Sequence, residues 1–304
     1  MIYHIKDGRF VPACDGEEGR AAGPEFGLFP LAQAQQVFDR LAIDARFLPE
    51  LLSGRAAKFE SHDGFDLIRL SVLNGKKIAL SGHPVVLYLS QGRLLAFSDS
   101  ERMLRELASY AEKAEEVAFD RVLYFLFKRL TEEDSGRLDG IEAEILQLED
   151  RLLEGEHAPE CARQIAALRR KLFTLKSYYE QFYNILDGIM ENENGLFGRE
   201  ALRYFKIFSG KLDRLGRQTG NLRDYITQVR ESYQAQVDIE LNKIMKLFTV
   251  ITAVISPLTL IAGWYGMNFS MPEYRWALGY PAVILLSAAV VGLCVYYFKR
   301  HRWF

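Results

Sequence analysis

Residues 242–268 read NKIMKLFTVITAVISPLTLIAGWYGMN, and this stretch decides how the chain is organised. No charged residue occurs between Lys246 and Glu273, and a second uncharged run follows at residues 279–298. A helix rises by about 1.5 Å per residue, so residues 247–265 come close to the roughly 30 Å hydrocarbon thickness of a bilayer. The two runs therefore predict a helical hairpin that crosses a membrane.

Polar or small side chains recur in the first run at steps of three and four residues, which places them on one face of a helix. Two interpretations stay open on this pattern alone. Small residues often line the contact between two membrane helices, whereas copies of one helix around an axis would use such a face as a pore wall. We call this set the polar stripe; it consists of Asn242, Met245, Thr249, Thr252, Ser256, Thr259, Gly263 and Gly266.

The outer end of the polar stripe carries a recognisable motif. Gly266-Met267-Asn268 closes the first run, and Met271-Pro272-Glu273 follows in the connecting loop. Together with the second hydrophobic run and the basic tail, these triplets resemble the signature of the CorA family of divalent-cation channels. The resemblance covers roughly the last third of the sequence and favours the pore interpretation.

The chemistry of Asn268 suits a filter for hydrated cations. A helix that ends outside presents the negative end of its dipole to the external solution. Mg²⁺ sheds water reluctantly, and a ring of amide oxygens can hydrogen-bond those waters, whereas carboxylates would hold the ion more strongly and slow its release. Gly266 is expected to end the helix in the left-handed conformation.

The resemblance implies roles for other positions of the first run. Asn242 and Met245 match the cytosolic end of the family's pore, and Phe248 falls on a gate position where the family commonly has leucine. Ser256 stands where some members have a large apolar residue, which puts a dry constriction at that level in doubt. The implied filter is Gly266, Met267 and Asn268, and the implied pore lining is Asn242, Met245, Phe248, Thr249, Thr252, Ser256, Thr259 and Gly263.

The distribution of charge predicts the topology of the hairpin. Basic residues flank both runs on the side of the termini, whereas the loop has only Arg275, so the positive-inside rule places both termini in the cytoplasm and the loop outside. The implied location is a bacterial inner (plasma) membrane. Glu273 in the loop is expected either to attract cations or to pair with Arg275. The inner basic residues are Lys243, Lys246, Lys299, Arg300 and Arg302.

The part of the chain before the hairpin predicts an α+β cytosolic domain, in which an α/β layer is followed by a helical hairpin and a long stalk helix. The predicted strands are 1–5, 26–29, 65–72, 84–89 and 93–97, with a weak one at 76–80, and the predicted helices are 31–42, 101–111, 117–133, 136–153, 160–190 and about 197–265. The predicted segments are an α/β domain at 1–115, a helical hairpin at 116–195, the stalk at 196–246, transmembrane helices at 247–265 and 279–298, the external loop at 266–278 and a basic tail at 299–304.

Three glycines weaken the predicted stalk helix. Gly210, Gly216 and Gly220 each cost a helix roughly 1 kcal/mol relative to Ala. Residues 132–160 contain eleven Asp or Glu against two Arg. Such a run is typical of a solvated helix face, whereas the resemblance implies regulatory Mg²⁺ sites among cytosolic carboxylates. Ile207 stands where some members have a sensing Asp, and Asp213 lies a turn or two away, so no regulatory site is assigned.

Composition excludes several other classes of protein. The net charge of −2 does not indicate the basic surface that binds nucleic acid. The three cysteines form no CxxC pair, and the five histidines do not have the spacing of metal ligands. The chain also contains no Walker loop, HExxH motif or nucleophile elbow. We therefore expect no enzyme and no cofactor, with Mg²⁺ as the transported ion and a candidate regulatory ion.

The sequence thus predicts Mg²⁺ transport by a CorA-type oligomer, implied by the resemblance to be a homopentamer, in contact with the lipid bilayer. The membrane potential supplies about 2.3 kcal/mol per charge per 100 mV, so import needs no ATP. One alternative is a Zn²⁺, Co²⁺ or Ni²⁺ transporter of the related ZntB type. Another, of a different class, is a membrane-anchored sensor or scaffold in which the hairpin is only an anchor.

Overall fold

The structure, a computed structural model, describes residues 1–6, 9–12, 23–43, 46, 57–73, 78, 80–114, 118–154, 159–268 and 278–301. Its contacts divide the chain into two units, Met1–Val229 and Arg230–Phe304. The first unit holds a mixed sheet and most of the helices, and the second holds the two apolar helical segments.

The first unit contains a seven-stranded sheet in the order β2-β1-β3-β7-β6-β5-β4. Only β3 and β7 pair in parallel; the other neighbours are antiparallel. The strands are β1 Ile2–Lys6, β2 Arg9–Pro12, β3 Glu25–Phe29, β4 Lys58–His62, β5 Phe65–Leu73, β6 Leu80–Ser90 and β7 Arg93–Ser98.

The five main strands predicted from the sequence are confirmed, each with slightly different ends. The edge strands β2 and β4 were not predicted. The sequence of β4, KFESH, lacks the alternation of apolar and polar residues that marks a strand with one buried face. This agrees with its burial, since every described position of β4 is half-buried. Residues 76, 77 and 79 of the weak predicted strand lie outside the described residues, and Leu80 begins β6.

The helices of the chain follow the predicted order. A short 3-10 turn at Leu31–Gln33 precedes α1, so the predicted helix 31–42 is two elements. The helices are α1 Ala34–Arg40, α2 Glu101–Lys113, α3 Phe119–Leu130, α4 Asp134–Leu153, α5 Pro159–Glu191, α6 Arg199–Tyr265 and α7 Gly279–Arg300.

Helix α6 is continuous over 67 residues, through all three glycines of its first part. Leu212, Leu215 and Leu222 are buried there. Burying a leucine side chain contributes about 1.5–3 kcal/mol, which is more than each glycine costs. Packing on the rest of the first unit therefore offsets the weak helix propensity.

Helices α4 and α5 form the predicted antiparallel pair. Lys171 reaches back to Glu144 with an N–O distance of 2.6 Å, and Arg151 donates to Gln164 nearer the tip. The first contact joins residues 27 apart and the second joins residues 13 apart, which requires opposite chain directions.

Helix α5 lies directly against strand β4. A Cβ atom added to Gly188 would come within 2.2 Å of the Phe59 ring, so only glycine fits at this crossing. After α5, Asn192 and Gly195 take positive φ values of 49° and 63°. These left-handed positions end the helix at the break that the sequence predicts near residues 191–195.

The turn between α5 and α6 is fastened to the sheet by one amide. Asn194 donates through Nδ2 to Asp66 at 2.7 Å and to Ser61 at 3.0 Å, and its Oδ1 accepts from the Gly64 amide at 3.0 Å. Burial raises the pKa of Asp66, although the Asn194 and Ser61 hydrogen bonds oppose that shift. The start of α6 is thereby fixed relative to the β4–β5 hairpin.

Candidate functional site

Two helices of the chain, Arg199–Tyr265 and Gly279–Arg300, are long and apolar enough to cross a membrane, with mean hydropathies of 2.0 and 2.1 in their most apolar windows. Length and composition carry this inference. Both apolar segments lie in the second unit.

One face of α6 packs against α7. Val250 is buried there, as is Phe298 on α7, and the Cys294 thiol donates to the Ala253 carbonyl oxygen over 3.8 Å. The α6 residues that are buried or half-buried in this region are Val250, Ala253, Val254, Pro257, Leu258, Ile261 and Tyr265. They follow helical spacing and define a single side.

The polar stripe lies on the opposite side of α6. All eight of its residues are exposed, and at 3.6 residues per turn the centre of the polar stripe is roughly opposite the centre of the α7-facing set. Helix α7 does not pack on the polar stripe. Within the described part of the chain, intramolecular packing therefore does not account for the small and polar residues, and their neighbour is a second copy, water or lipid.

The threonines of the polar stripe hydrogen-bond to their own helix. Their Oγ1 atoms donate to the carbonyl four residues earlier, at 2.8 Å for Thr249, 2.9 Å for Thr252 and 3.0 Å for Thr259. Each hydroxyl hydrogen is thereby used, and each oxygen keeps lone pairs that accept hydrogen bonds. Such a surface can accept hydrogen bonds from the waters around a cation.

The helix ends at the predicted filter, but by a different geometry from the one expected. The Gly266 amide donates to Ala262 O at 2.9 Å and the Met267 amide to Trp264 O at 3.3 Å. Gly266 is not among the positive-φ glycines, so the prediction of a left-handed Gly266 is wrong. A Cβ there would lie 2.9 Å from Ala262 O, so close backbone approach is what requires glycine.

The structure brings together the residues of the predicted pore on one exposed face. Phe248 at the predicted gate is 62% exposed, Asn268 and Met267 are exposed just beyond the helix end, and the inner basic residues Lys243 and Lys246 are exposed before it. Lys299 and Arg300 are exposed at the end of α7. Met271, Pro272, Glu273, Arg275 and Arg302 lie outside the described residues.

Among its described residues, the first unit contains no group of three or more His, Cys, Asp or Glu that is close enough to hold an ion. Ile207 is 59% exposed on α6, and Asp213 is exposed as well. Neither residue belongs to a cluster of metal-ligating side chains among the described residues.

Sequence reasoning missed a buried charged cluster where α6 passes the start of α4. Asp134 is fully buried and accepts from Arg137 at 2.6 Å, while Lys211 of α6 donates to the Thr131 carbonyl at 2.9 Å. Burial raises the pKa of Asp134 and lowers that of Lys211. Its members come from segments about 80 residues apart, and no local sequence pattern signals such a cluster.

Comparison with known proteins agrees with the fold and the hairpin. The family described as "CorA-like Mg2+ transporter protein" matches residues 39–300. The chain is 31% identical over 185 residues to the cobalt/magnesium transport protein CorA of Thermotoga maritima, covering 60% of this chain and 52% of that protein. It is 25% identical over 273 residues to the magnesium transport protein CorA of Escherichia coli K12, covering 84% and 83% of the two chains.

The fold is shared with a solved transporter structure. The CorA magnesium transporter of Methanocaldococcus jannaschii superposes with a TM-score of 0.75 at 22% identity, over 97% of this chain and 95% of that one. The match to the Thermotoga relative spans only about half of that protein's length. The superposition with the Methanocaldococcus structure shows that the two chains share one architecture, including the long helix that leads into an apolar hairpin.

Proposed function

The chain belongs to the CorA-like Mg²⁺ transporter family, and from that premise we propose that it carries Mg²⁺ across a membrane as a homopentameric channel. The ion moves down its electrochemical gradient, and the protein needs no cofactor and catalyses no reaction. The membrane is the bacterial inner membrane, with both termini in the cytoplasm. This placement follows the positive-inside rule.

The observation that carries the proposal is the exposed polar stripe on the side of α6 that α7 leaves uncovered. The threonine hydroxyls already donate to their own helix, but their remaining lone pairs and the exposed amides of Asn242 and Asn268 are matched better by water or a polar neighbour than by hydrocarbon. Copies of the chain around an axis provide one. In that arrangement the polar stripe lines a water-filled passage, Phe248 narrows its inner part, and the Asn268 amides surround its outer mouth.

Hydrated Mg²⁺ suits such a lining. The ion keeps several of its waters when bound, and the acceptor oxygens of Thr249, Thr252 and Thr259 can bind the hydrogens of those waters. No carboxylate lies within the described part of the passage. The ion is therefore guided without being held strongly, which conduction requires.

Replacement of Asn268 by Ala tests the filter. We expect Asn268→Ala to abolish Mg²⁺ uptake into proteoliposomes, since the ring of amide oxygens is lost, while the variant still assembles. Ile284→Ala is the matched control, because Ile284 is exposed on α7 away from the polar stripe. Wild-type flux through Asn268→Ala would contradict the filter assignment.

Flux measured with several cations separates the remaining alternatives. Preference for Mg²⁺ over Zn²⁺ supports the proposed function, whereas preference for Zn²⁺ favours the ZntB-type transporter. A reconstituted protein that passes none of these ions would favour the membrane-anchored sensor or scaffold.

A further inference from the structure

Four cationic side chains lie at the inner end of the helical hairpin, and none of them has a carboxylate partner among the residues that the structure describes. They are Lys243 and Lys246 on α6 and Lys299 and Arg300 on α7, which we call the inner basic patch. All four are exposed. Glu273 is the only acidic residue after Glu240, and none of the four cations forms a salt bridge with another described residue.

The two lysines do not point toward the polar stripe. On an ideal helix, Lys243 lies about 170° and Lys246 about 110° from the centre of the polar stripe. Lys243 instead shares the direction of Val250 and the rest of the α7-facing set. Neither lysine therefore faces the proposed passage.

One cation on each helix, Lys246 on α6 and Arg300 on α7, lies at nearly the same depth. The contact of Cys294 with Ala253 fixes the register of the two antiparallel helices. Lys246 lies seven residues before Ala253, and Arg300 lies six residues after Cys294, so at about 1.5 Å per residue their levels differ by only a few ångströms. The inner basic patch thus has cations from two helices at one level of the hairpin.

Aromatic side chains accompany this surface. Tyr296 and Tyr297 are 64% and 55% exposed, and Tyr296 accepts a hydrogen bond from Arg300 at 3.3 Å. Tyrosine is enriched at the level of lipid headgroups, where its ring is in contact with acyl chains and its hydroxyl with water. The depth of the inner basic patch is therefore the depth of a phosphate group.

We propose that the inner basic patch binds the phosphate of an anionic phospholipid in the cytoplasmic leaflet. The proposal rests on the proposed placement of the hairpin in a membrane. Lysine and arginine on adjacent helices complement a lipid phosphate in charge, and juxtamembrane cations of this kind each strengthen attraction to anionic lipid about fivefold. The bound lipid would bridge α6 and α7 at the base of the stalk.

The test is retention of lipid by the full-length protein. Wild-type protein is reconstituted in equal parts of phosphatidylcholine and phosphatidylglycerol, extracted gently, and its retained lipids are counted by native mass spectrometry. We expect enrichment of phosphatidylglycerol in the wild type. Lys243→Gln with Lys246→Gln, or Lys299→Gln with Arg300→Gln, should reduce its binding by about fivefold for each charge removed.

The matched control is Arg203→Gln with Lys206→Gln, which removes two exposed charges with the same spacing from the first unit. It should retain phosphatidylglycerol as the wild type does. A second variant, Lys243→Arg with Lys246→Arg, keeps the charge and should keep the lipid, which separates loss of charge from misfolding. Equal enrichment in the wild type and both Gln pairs would overturn the proposal.

This readout requires no ion transport. A protein that retains phosphatidylglycerol and passes no Mg²⁺ overturns the proposed function alone. A protein that passes Mg²⁺ and shows no preference for phosphatidylglycerol overturns the lipid site alone.

Discussion

Gly266 shows how a single residue can serve the filter by a different property from the one first expected. Its φ value is not positive, and its role is to let the last helical turn close on Ala262, whose carbonyl oxygen would lie 2.9 Å from an added Cβ. The flexibility of glycine is not used here. What matters at this position is that glycine has no side chain. The tight last turn that this allows sets the position of Asn268 two residues later.

Substitution of Gly266 by Ala tests this reading. The added methyl group must push the last turn open, at a cost of about 1–3 kcal/mol for overpacking, and we expect Mg²⁺ flux to fall because Asn268 shifts away from its place at the mouth of the passage. Gly292→Ala in α7 is the control, since a Cβ at Gly292 meets nothing within 4 Å. If Gly266→Ala conducts as well as Gly292→Ala, the steric account fails.

A second residue-scale prediction concerns Glu106, whose pKa is lowered chiefly by the hydrogen bond from Arg129. The Nε of Arg129 donates to Glu106 at 2.9 Å, and the two side chains are 32% and 27% exposed. Because the folded-state pKa is depressed, the stabilisation is present above the unfolded value of about 4.3 and is lost as pH falls through the folded-state pKa.

We therefore expect Glu106→Gln to destabilise the protein by on the order of 1 kcal/mol at pH 7, after allowance for solvent screening. The difference from wild type should shrink as pH falls below about 4.3. Thermal unfolding of the full-length protein in detergent across this pH range measures it. Glu101→Gln on the same helix is the control, because Glu101 is 86% exposed. A difference that stays constant with pH would rule out this ion pair as the cause.

At the scale of elements, α6 contains a proline within its membrane-spanning part, and α7 compensates for it. Pro257 has no amide hydrogen, so the Ala253 carbonyl lacks its usual partner four residues later. The Cys294 thiol lies 3.8 Å from that oxygen. A carbonyl left unsatisfied in hydrocarbon is costly. The Cys294 thiol gives this oxygen a weak hydrogen bond and so links α7 to α6 at the level of the proline.

Cys294→Ala should therefore destabilise the helical pair by about 0.5–2 kcal/mol, the range for a hydrogen bond between membrane helices. Cys294→Ser supplies a stronger donor of similar size and should be close to wild type. Thermal unfolding in detergent micelles compares the two. Equal loss of stability in both variants would show that volume, and not hydrogen bonding, is what matters at this position.

The elements also show how far sequence reasoning reaches. Periodicity is a local property, and it correctly placed α4, α5, α6 and the polar stripe. It failed where the cause lies in distant segments. Strand β4 is recognisable only through its pairing with β5, and Gly188 is required only because Phe59 crosses α5 there. Asp134 reads as one more member of an acidic run, although packing of α4 against α5 and α6 buries it fully.

At the scale of the whole molecule, a single chain leaves much of α6 uncovered. Exposed apolar residues at the inner end of its hairpin segment, including Ile244 and Ile251, flank the polar stripe. A ring of identical subunits would cover these residues and place the polar stripes on its axis. The homopentamer proposed above supplies both effects, with five Asn268 side chains at one level of the passage.

The measurement that tests this account most directly is the reaction of introduced cysteines with a membrane-impermeant thiol reagent in proteoliposomes. Thr252 and Ile251 are adjacent, both exposed in the single chain, and about 100° apart on the helix, so they form a matched pair at one depth. In a background without native cysteines (Cys14→Ser, Cys161→Ala and Cys294→Ser), we expect Thr252→Cys to react and lose Mg²⁺ flux, and Ile251→Cys to remain unreacted with full flux. Reaction at Ile251→Cys without reaction at Thr252→Cys would contradict a passage lined by the polar stripe.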